Sequence, residues 1–215
     1  MRKIPIILLT LGLAAYSGLT LAEVAGDSER GAAAAVTCNA CHQADGSGKN
    51  IPGGESWPRL AGLNAAYIAK QLQDYKSGTR TNASMMPFAS MLDEQQIADV
   101  AAYYAGLPAT PGSGGESADQ SMLDRGKQLA RRGDWSEYIV SCASCHGPDN
   151  RGAGAVFPGI AGQHAGYIKA QLQAWQEGTR NNDPQDLMGS IARRMSDEDM
   201  HAVAVWLANQ NSAAN

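Results

Sequence analysis

The sequence predicts an all-α protein built from two tandem, related domains, and two observations carry this prediction. Apolar residues recur at three- and four-residue steps, as along one face of a helix, and no alternating strand pattern extends beyond a few residues. The chain also repeats itself, because "WPRLAGLNAAYIAKQLQDYKSGTR" at 57–80 recurs as "FPGIAGQHAGYIKAQLQAWQEGTR" at 157–180, an offset of 100 residues. A period this long indicates the duplication of a whole domain.

The first residues have the pattern of a secretory signal peptide. Two basic residues open the chain, residues 4–15 are almost wholly apolar, and Thr20-Leu21-Ala22 offers a small-x-small cleavage site. An uncleaved membrane anchor is the alternative, but the apolar stretch is short beside the roughly 20 residues of a spanning helix. The pattern therefore predicts a signal peptide over 1–22 and an exported mature protein.

Composition divides the rest of the chain. A segment rich in Pro, Gly and Ser lies between the two copies and has little to bury, so it is typical of an exposed linker. We predict an N-terminal domain over 23–108, a linker over 109–118 and a C-terminal domain over 119–215. The formal net charge of −4 leaves no basic stripe for phosphates and argues against a nucleic-acid partner.

Helical periodicity locates the main elements of each copy. In the first copy, one face of a helix is indicated by residues at three- and four-residue steps, which are Tyr67, Ile68, Gln71, Leu72 and Tyr75. That helix is expected to end near Gly78, and a second helix is expected to start after Asp93 and close at Gly106. Further helices are predicted around 29–36 and 122–131. Each unit has only about 90 residues, so its core is marginal unless a large apolar group fills its centre.

The four cysteines identify such a group. In an exported protein four cysteines would normally suggest two disulfides, yet here they form "CNACH" at 38–42 and "CASCH" at 142–146. C-x-x-C-H is the attachment signature of c-type haem, in which both thiols form thioethers and the histidine binds the iron. The sequence predicts two covalent haem c groups, with Cys38, Cys41, Cys142 and Cys145 as attachment sites and His42 and His146 as iron ligands.

Other interpretations of the cysteines fit less well. A thioredoxin-like redox pair expects a βαβ context, which the pattern lacks. One shared Cys₄ zinc site does not explain why each pair lies on its own copy and is followed by its own histidine. Two disulfides remain open in principle at this stage.

The sixth iron ligand should occupy equivalent places in both copies. The two remaining histidines fail this test, because His164 aligns with Asn64 and His201 aligns with Ala98. Methionine passes it. Met85 and Met188 lie 43 and 42 residues after the histidines of their own motifs, and thioether sulfur suits a low-spin haem iron. Met86, beside Met85, is the alternative for the first copy.

Two further pairs recur at matching positions. Pro58 and Pro158 each precede an Ala-Gly turn, and a carbonyl there can accept the Nδ1–H of the iron-binding histidine. The alternative is that both prolines only stiffen a turn. Arg80 and Arg180 end "GTR" in both copies, where each arginine either pairs with a haem propionate or forms an exposed salt bridge.

The mature chain resembles the dihaem cytochrome c4 family in its two CxxCH units, "PRLAG" and "PGIAG", the two "GTR" helices and the late methionine before a final helix. The resemblance implies two cytochrome c-like domains and the axial pairs His42–Met85 and His146–Met188. One departure is "SMMPFASML" in the first copy against "LMGSIARRM" in the second, which keeps Met86 open as the first ligand.

The resemblance also implies a function. It indicates a periplasmic electron carrier that is sometimes membrane-associated. We also predict a monomer that is not an enzyme, because six-coordinate haems leave no open iron position for a substrate. Its partners would be redox proteins such as a quinol–cytochrome c reductase and a terminal oxidase. The alternative is the cytochrome subunit of a dedicated dehydrogenase, of the flavocytochrome sulfide dehydrogenase type. A dihaem peroxidase fits less well, because it needs an open iron position that His/Met ligation closes.

Purified protein is expected to contain two covalently bound haems, one for each CxxCH motif. Both haems should stay with the protein in acid, because thioether bonds resist acid extraction. A haem-to-protein ratio measured before and after acid extraction checks this. A ratio of one, or haem that leaves in acid, would contradict the prediction.

Overall fold

The computed structural model describes residues 25–212, and the predicted signal peptide over 1–22 lies outside them. All regular elements within 25–212 are helices, and strand-like pairing there is limited to isolated bridges. The predicted all-α class is confirmed. The same order of elements occurs twice, once in each copy of the repeat.

Five α-helices form the first copy. They are α1 Ser28–Ala34, α2 Asn39–His42, α3 Ala65–Ser77, α4 Met85–Ser90 and α5 Glu94–Gly106. Local chemistry sets their ends. Asn64 caps α3 by accepting from two backbone N–H groups, and Gly78 ends that helix in the left-handed region at φ 78°. Asp93 and Gln96 form a reciprocal capping box at the start of α5. The predicted ends at Gly78 and Gly106 are confirmed.

The second copy repeats this arrangement. Its helices are α6 Gln120–Arg132, α7 Ala143–His146, α8 Ala165–Gln176, α9 Leu187–Ala192 and α10 Asp197–Ala208. The long helices α8 and α10 correspond to α3 and α5, and α9 corresponds to α4. Each CxxCH motif begins at the N-cap of a single helical turn, α2 or α7, that follows the first helix of its copy.

In each domain the first and last helices cross in close contact. A side chain at Gly31 of α1 would lie 2.0 Å from the backbone oxygen of Asp99, and one at Gly126 of α6 would lie 2.1 Å from that of Ala202. Glycine is therefore required where α1 crosses α5 and where α6 crosses α10. The crossing brings the first and last helices together, and α3 or α8 packs on the same last helix.

The linker packs more closely than its composition predicts. The backbone oxygen of Ser113 accepts from Ala165 N at 3.0 Å, and that of Gly115 accepts from Asn209 Nδ2 at 2.9 Å. Gly112 lies so close to the turn before α8 that a Cβ there would be 2.7 Å from Gln163 O. The segment is not the exposed tether that we expected, because small residues let its backbone lie against the second domain. The exact domain boundaries stay a prediction.

Replacing Gly31 by alanine is expected to lower the free energy of unfolding by about 1–3 kcal/mol, because the added methyl group overpacks the α1–α5 crossing. Gly106→Ala is the matched control, since a Cβ there meets nothing within 4 Å and alanine is the better helix former. Guanidinium unfolding followed by circular dichroism measures both. Equal stability of the two variants would contradict the close crossing.

Candidate haem sites

The two histidines of the motifs are buried and held in the same way. His42 ends α2 and His146 ends α7. The Nδ1 of His42 lies 3.0 Å from the backbone oxygen of Pro58, and the Nδ1 of His146 lies 2.7 Å from that of Pro158. The expected bond to a proline carbonyl is therefore confirmed in both copies. It fixes each ring and leaves Nε2 as the nitrogen that can bind a metal.

Burial also sets the protonation state of these rings. Loss of solvent lowers the pKa of His42 and of His146, although the bond to the proline carbonyl acts in the opposite direction. Both imidazoles are therefore neutral at neutral pH. A neutral imidazole is the form that binds iron.

The four cysteines carry free thiols and face the same space as the histidines. Within residues 25–212 they form no disulfide, and no group of three His, Cys, Asp or Glu side chains is placed to hold a metal ion. The disulfide and shared-zinc interpretations therefore find no support in the described part of the chain. Burial raises the pKa of the Cys142 thiol to about 11, so this thiol is protonated at neutral pH before any reaction.

One continuous cavity extends through both domains, and all eight predicted site residues line it. They are Cys38, Cys41, His42, Met85, Cys142, Cys145, His146 and Met188. Most of the remaining lining is apolar and comes from the long helices and the turns before them. It includes Leu63, Ile68, Leu72 and Val100 in the first copy and Ile160, Ile168, Leu172 and Val203 in the second. Such a lining suits a large, flat, apolar macrocycle.

The two candidate methionines occupy matching positions at the edge of the cavity. Met85 is the first residue of α4, and its N–H donates to Asn82 Oδ1 at 2.8 Å. Met188 is the second residue of α9, and its N–H donates to Asp183 Oδ2 at 2.7 Å. Among the described residues that line the cavity, Met85 is present and Met86 is not.

Met195 also lines the cavity and is 5% exposed. It aligns with Leu92 of the first copy, which cannot ligate iron. Equivalence between the copies therefore still selects Met188 over Met195.

Two buried guanidinium groups meet where the domains join. Arg80 and Arg180 are 5% and 6% exposed, line the cavity and pair through a backbone bridge. Each donates to both Gln71 Oε1 and Gln171 Oε1, at distances of 2.7–3.2 Å. Arg80 also donates to the hydroxyl of Tyr167 at 3.0 Å. The interpretation of these arginines as exposed salt bridges is wrong, because both are buried among neutral partners.

This cluster tests whether a haem fits the cavity. Two like charges are costly to bury without an anion, and haem brings two propionate carboxylates. Trp175 gives a second indication, because its buried Nε1–H lines the cavity and has no acceptor among the described residues. Arg180 stacks on this ring at 3.9 Å, as Arg80 does on Tyr75 at 4.6 Å. Donors for haem carboxylates are thus present at matching places in both copies.

A repeated polar residue in the sequence is a signal for this cluster. Gln71 lies on an otherwise apolar helical stripe, and Gln171 repeats it. A polar residue retained in both copies on a buried face must find a buried partner. Arg59, Gln163 and His164 also make hydrogen bonds across the domain interface. The sequence contains no comparable signal for these bonds, because the three residues differ between the copies.

Helical domains that each place a CxxCH turn and a methionine on a shared apolar cavity define a c-type cytochrome with two haem sites. Comparison with known proteins agrees. The sequence profile of the family described as "Cytochrome c" matches residues 28–107 and 123–211. The chain belongs to the cytochrome c family and, within it, to the dihaem cytochromes c4.

Two relatives illustrate this placement. The chain is 40% identical to cytochrome c4 of Pseudomonas aeruginosa over 94% of both chains. It is 47% identical to the "Thiosulfate dehydrogenase electron acceptor" of Stutzerimonas stutzeri strain A1501, over 82% of this chain and 80% of the relative. The protein is therefore a dihaem electron carrier of the c4 type that carries two covalent haem c groups.

Solved structures show the same fold. Reduced recombinant cytochrome c4 from Pseudomonas stutzeri aligns with a TM-score of 0.79 and 32% identity, over 87% of this chain and 100% of that one. The thiosulfate dehydrogenase TsdBA from Marichromatium purpuratum aligns with a TM-score of 0.79 and 40% identity, over 86% of this chain. This chain spans only 41% of the length of TsdBA.

Proposed function

We propose that this protein transfers electrons in the periplasm by outer-sphere transfer through two His/Met-ligated haems, accepting them from a thiosulfate-oxidising dehydrogenase. The observation that carries the proposal is the shared cavity, on which each copy presents a CxxCH turn and a methionine. Bound haem c supplies reversible one-electron iron chemistry. The protein supplies attachment, two axial ligands, an apolar enclosure and buried cations.

The axial pairs in this proposal are His42 with Met85 and His146 with Met188. Both methionines lie in the first turn of a short helix, and the N–H of each donates to a side chain earlier in the chain. With both axial positions filled by protein, a substrate has no place to bind the iron. The protein then acts as a carrier and not as a catalyst, and methionine ligation favours a high reduction potential.

The two buried arginines have a part in this function. Arg80 and Arg180 would hold the haem carboxylates at the domain interface, where Gln71, Gln171 and Tyr167 orient their guanidinium groups. Anions placed there would compensate two charges that otherwise have only neutral partners.

The choice of donor rests on the named relatives. One relative at 47% identity is named as an electron acceptor of thiosulfate dehydrogenase, and the similar solved structure is itself a thiosulfate dehydrogenase that includes a matching segment. These names favour the interpretation of this protein as the cytochrome partner of a dedicated dehydrogenase, one that oxidises thiosulfate instead of sulfide. A quinol–cytochrome c reductase as donor is the competing case, and a terminal oxidase or reductase is the acceptor in both.

The location in this proposal follows from the signal pattern over 1–22. Residues 25–212 contain no helix that is both long and apolar enough to cross a membrane. We propose a monomer that meets its partners in the periplasm.

The methionine assignment predicts the spectra of single variants. Met85→Ala and Met188→Ala should each remove about half of the ferric charge-transfer absorption that reports methionine sulfur on iron. Met86→Ala should retain it, because Met86 does not line the cavity. Met91→Ala, at a residue 66% exposed, is the control for unrelated loss of a thioether. Loss of the absorption in Met86→Ala together with its retention in Met85→Ala would reverse the assignment in the first domain.

The donor assignment is tested by mixing the ferric protein with a purified thiosulfate dehydrogenase and thiosulfate, and following haem reduction in a stopped-flow spectrometer. We expect both haems to be reduced, at a rate that saturates with the concentration of the dehydrogenase. A monohaem c-type cytochrome of similar potential and a mixture without dehydrogenase are the controls. Reduction no faster than in these controls, with rapid reduction by a quinol–cytochrome c reductase, would favour the competing donor.

A further inference from the structure

One peptide unit of the first domain is hydrogen-bonded on both sides. Its carbonyl, Pro58 O, accepts from Nδ1 of His42 at 3.0 Å. Its N–H, which belongs to Arg59, donates to Oε1 of Gln163 in the second domain at 2.9 Å. The Nε2 of Gln163 donates back to Arg59 O at 2.9 Å. A side chain of the second domain thus holds the peptide that orients the histidine of the first.

The residues that form this contact are buried and hydrogen-bonded. Gln163 is 4% exposed and Arg59 is 2% exposed. The guanidinium of Arg59 donates to three backbone carbonyls, those of Gly162 at 3.0 Å, Ala161 at 3.1 Å and Ala61. Desolvation lowers the pKa of Arg59 to about 10, so the group is still charged at neutral pH. Arg59 therefore fixes the turn that carries Gln163 against the first domain.

The second domain has no equivalent contact. Pro158 O accepts from His146 Nδ1, but the next N–H, that of Gly159, forms no hydrogen bond among residues 25–212. The residue of the first copy that aligns with Gln163 is Leu63, which has no polar side-chain group. The relay from one domain to the histidine of the other therefore runs in one direction only.

We propose that Gln163 is a positioning residue for the first haem site, acting across the domain interface through the Pro58–Arg59 peptide. A peptide whose N–H is engaged is a better acceptor at its carbonyl, because hydrogen bonds in a chain polarise one another. A stronger bond from His42 Nδ1–H makes the imidazole a better electron donor, which favours oxidised iron. Docking of the second domain thereby lowers the reduction potential of the first haem. This inference rests on the proposed role of His42 as an axial ligand.

The test is Gln163→Leu, which introduces the residue of the equivalent position in the first copy. A redox titration should show a higher potential for the first haem and an unchanged potential for the second. In the reduced protein, NMR should show solvent exchange of the His42 Nδ1–H faster by about fivefold, the effect of weakening one buried hydrogen bond. Gln163→Met, closer in length to glutamine, serves if the leucine variant does not fold.

His164→Asn is the matched control, since asparagine occupies position 64. His164 also crosses the interface, where its Nε2 lies 2.8 Å from Ser47 O and its Nδ1 accepts from Ser113 N at 3.2 Å. It does not touch the Pro58–Arg59 peptide. The control should therefore leave the first potential and the His42 exchange rate unchanged.

Three results would overturn the inference. Unchanged exchange and potential in both Gln163 variants would show that the peptide transmits nothing. Equal shifts of both haems, or a shift of the first haem in His164→Asn as well, would show only a loosened interface. The NMR spectrum of the unaltered protein separates these outcomes from failure of the ligand assignment, because ring protons of His42 without a haem ring-current shift would contradict the proposed function itself.

Discussion

The arrangement of each domain depends on one constraint, which is that a domain of about 90 residues has only a small core of its own. Helices α3 and α5, and α8 and α10 in the second copy, contribute their apolar faces to a cavity as well as to each other. The crossings at Gly31 and Gly126 draw the first and last helices together without side chains between them. In each CxxCH turn the histidine is buried and lines the cavity, while Ala40 and Ser144 are exposed to solvent. A bound haem would therefore complete the apolar core of each domain.

The two copies of the domain meet at an interface that contains both symmetric and asymmetric contacts. The cluster of Arg80, Arg180, Gln71 and Gln171 is symmetric, because each arginine meets the glutamines of both copies. The contact between Arg59 and Gln163 is asymmetric, because Gly159 and Leu63 stand at the reciprocal positions. Symmetric contacts act equally on both sites, whereas asymmetric contacts give two sites of common origin different chemical surroundings.

The sequence predicted what depends on local pattern. Periodicity and capping residues located the long helices, and the CxxCH spacing identified the attachment residues. Choosing between Met85 and Met86 depends on where a short helix begins, which adjacent identical residues do not reveal. The burial of Arg80 and Arg180 depends on contacts across about 100 residues, and a single arginine in a polar "GTR" turn has no local sign of it. The contact of Gln163 was beyond prediction for the same reason, since its partner is a backbone peptide in the other domain.

The shared cavity has a consequence for how two haems behave in one chain. Arg80 and Arg180 line the shared cavity where the two domains meet, and each is bound to glutamines from both domains. With haem bound, an electron added to one site would reduce the positive charge near this cluster, and the low dielectric of a buried interface would transmit that change further than water does. The second electron therefore enters a different field from the first. Two haems bound at such an interface would therefore be electrostatically coupled through these buried guanidinium groups.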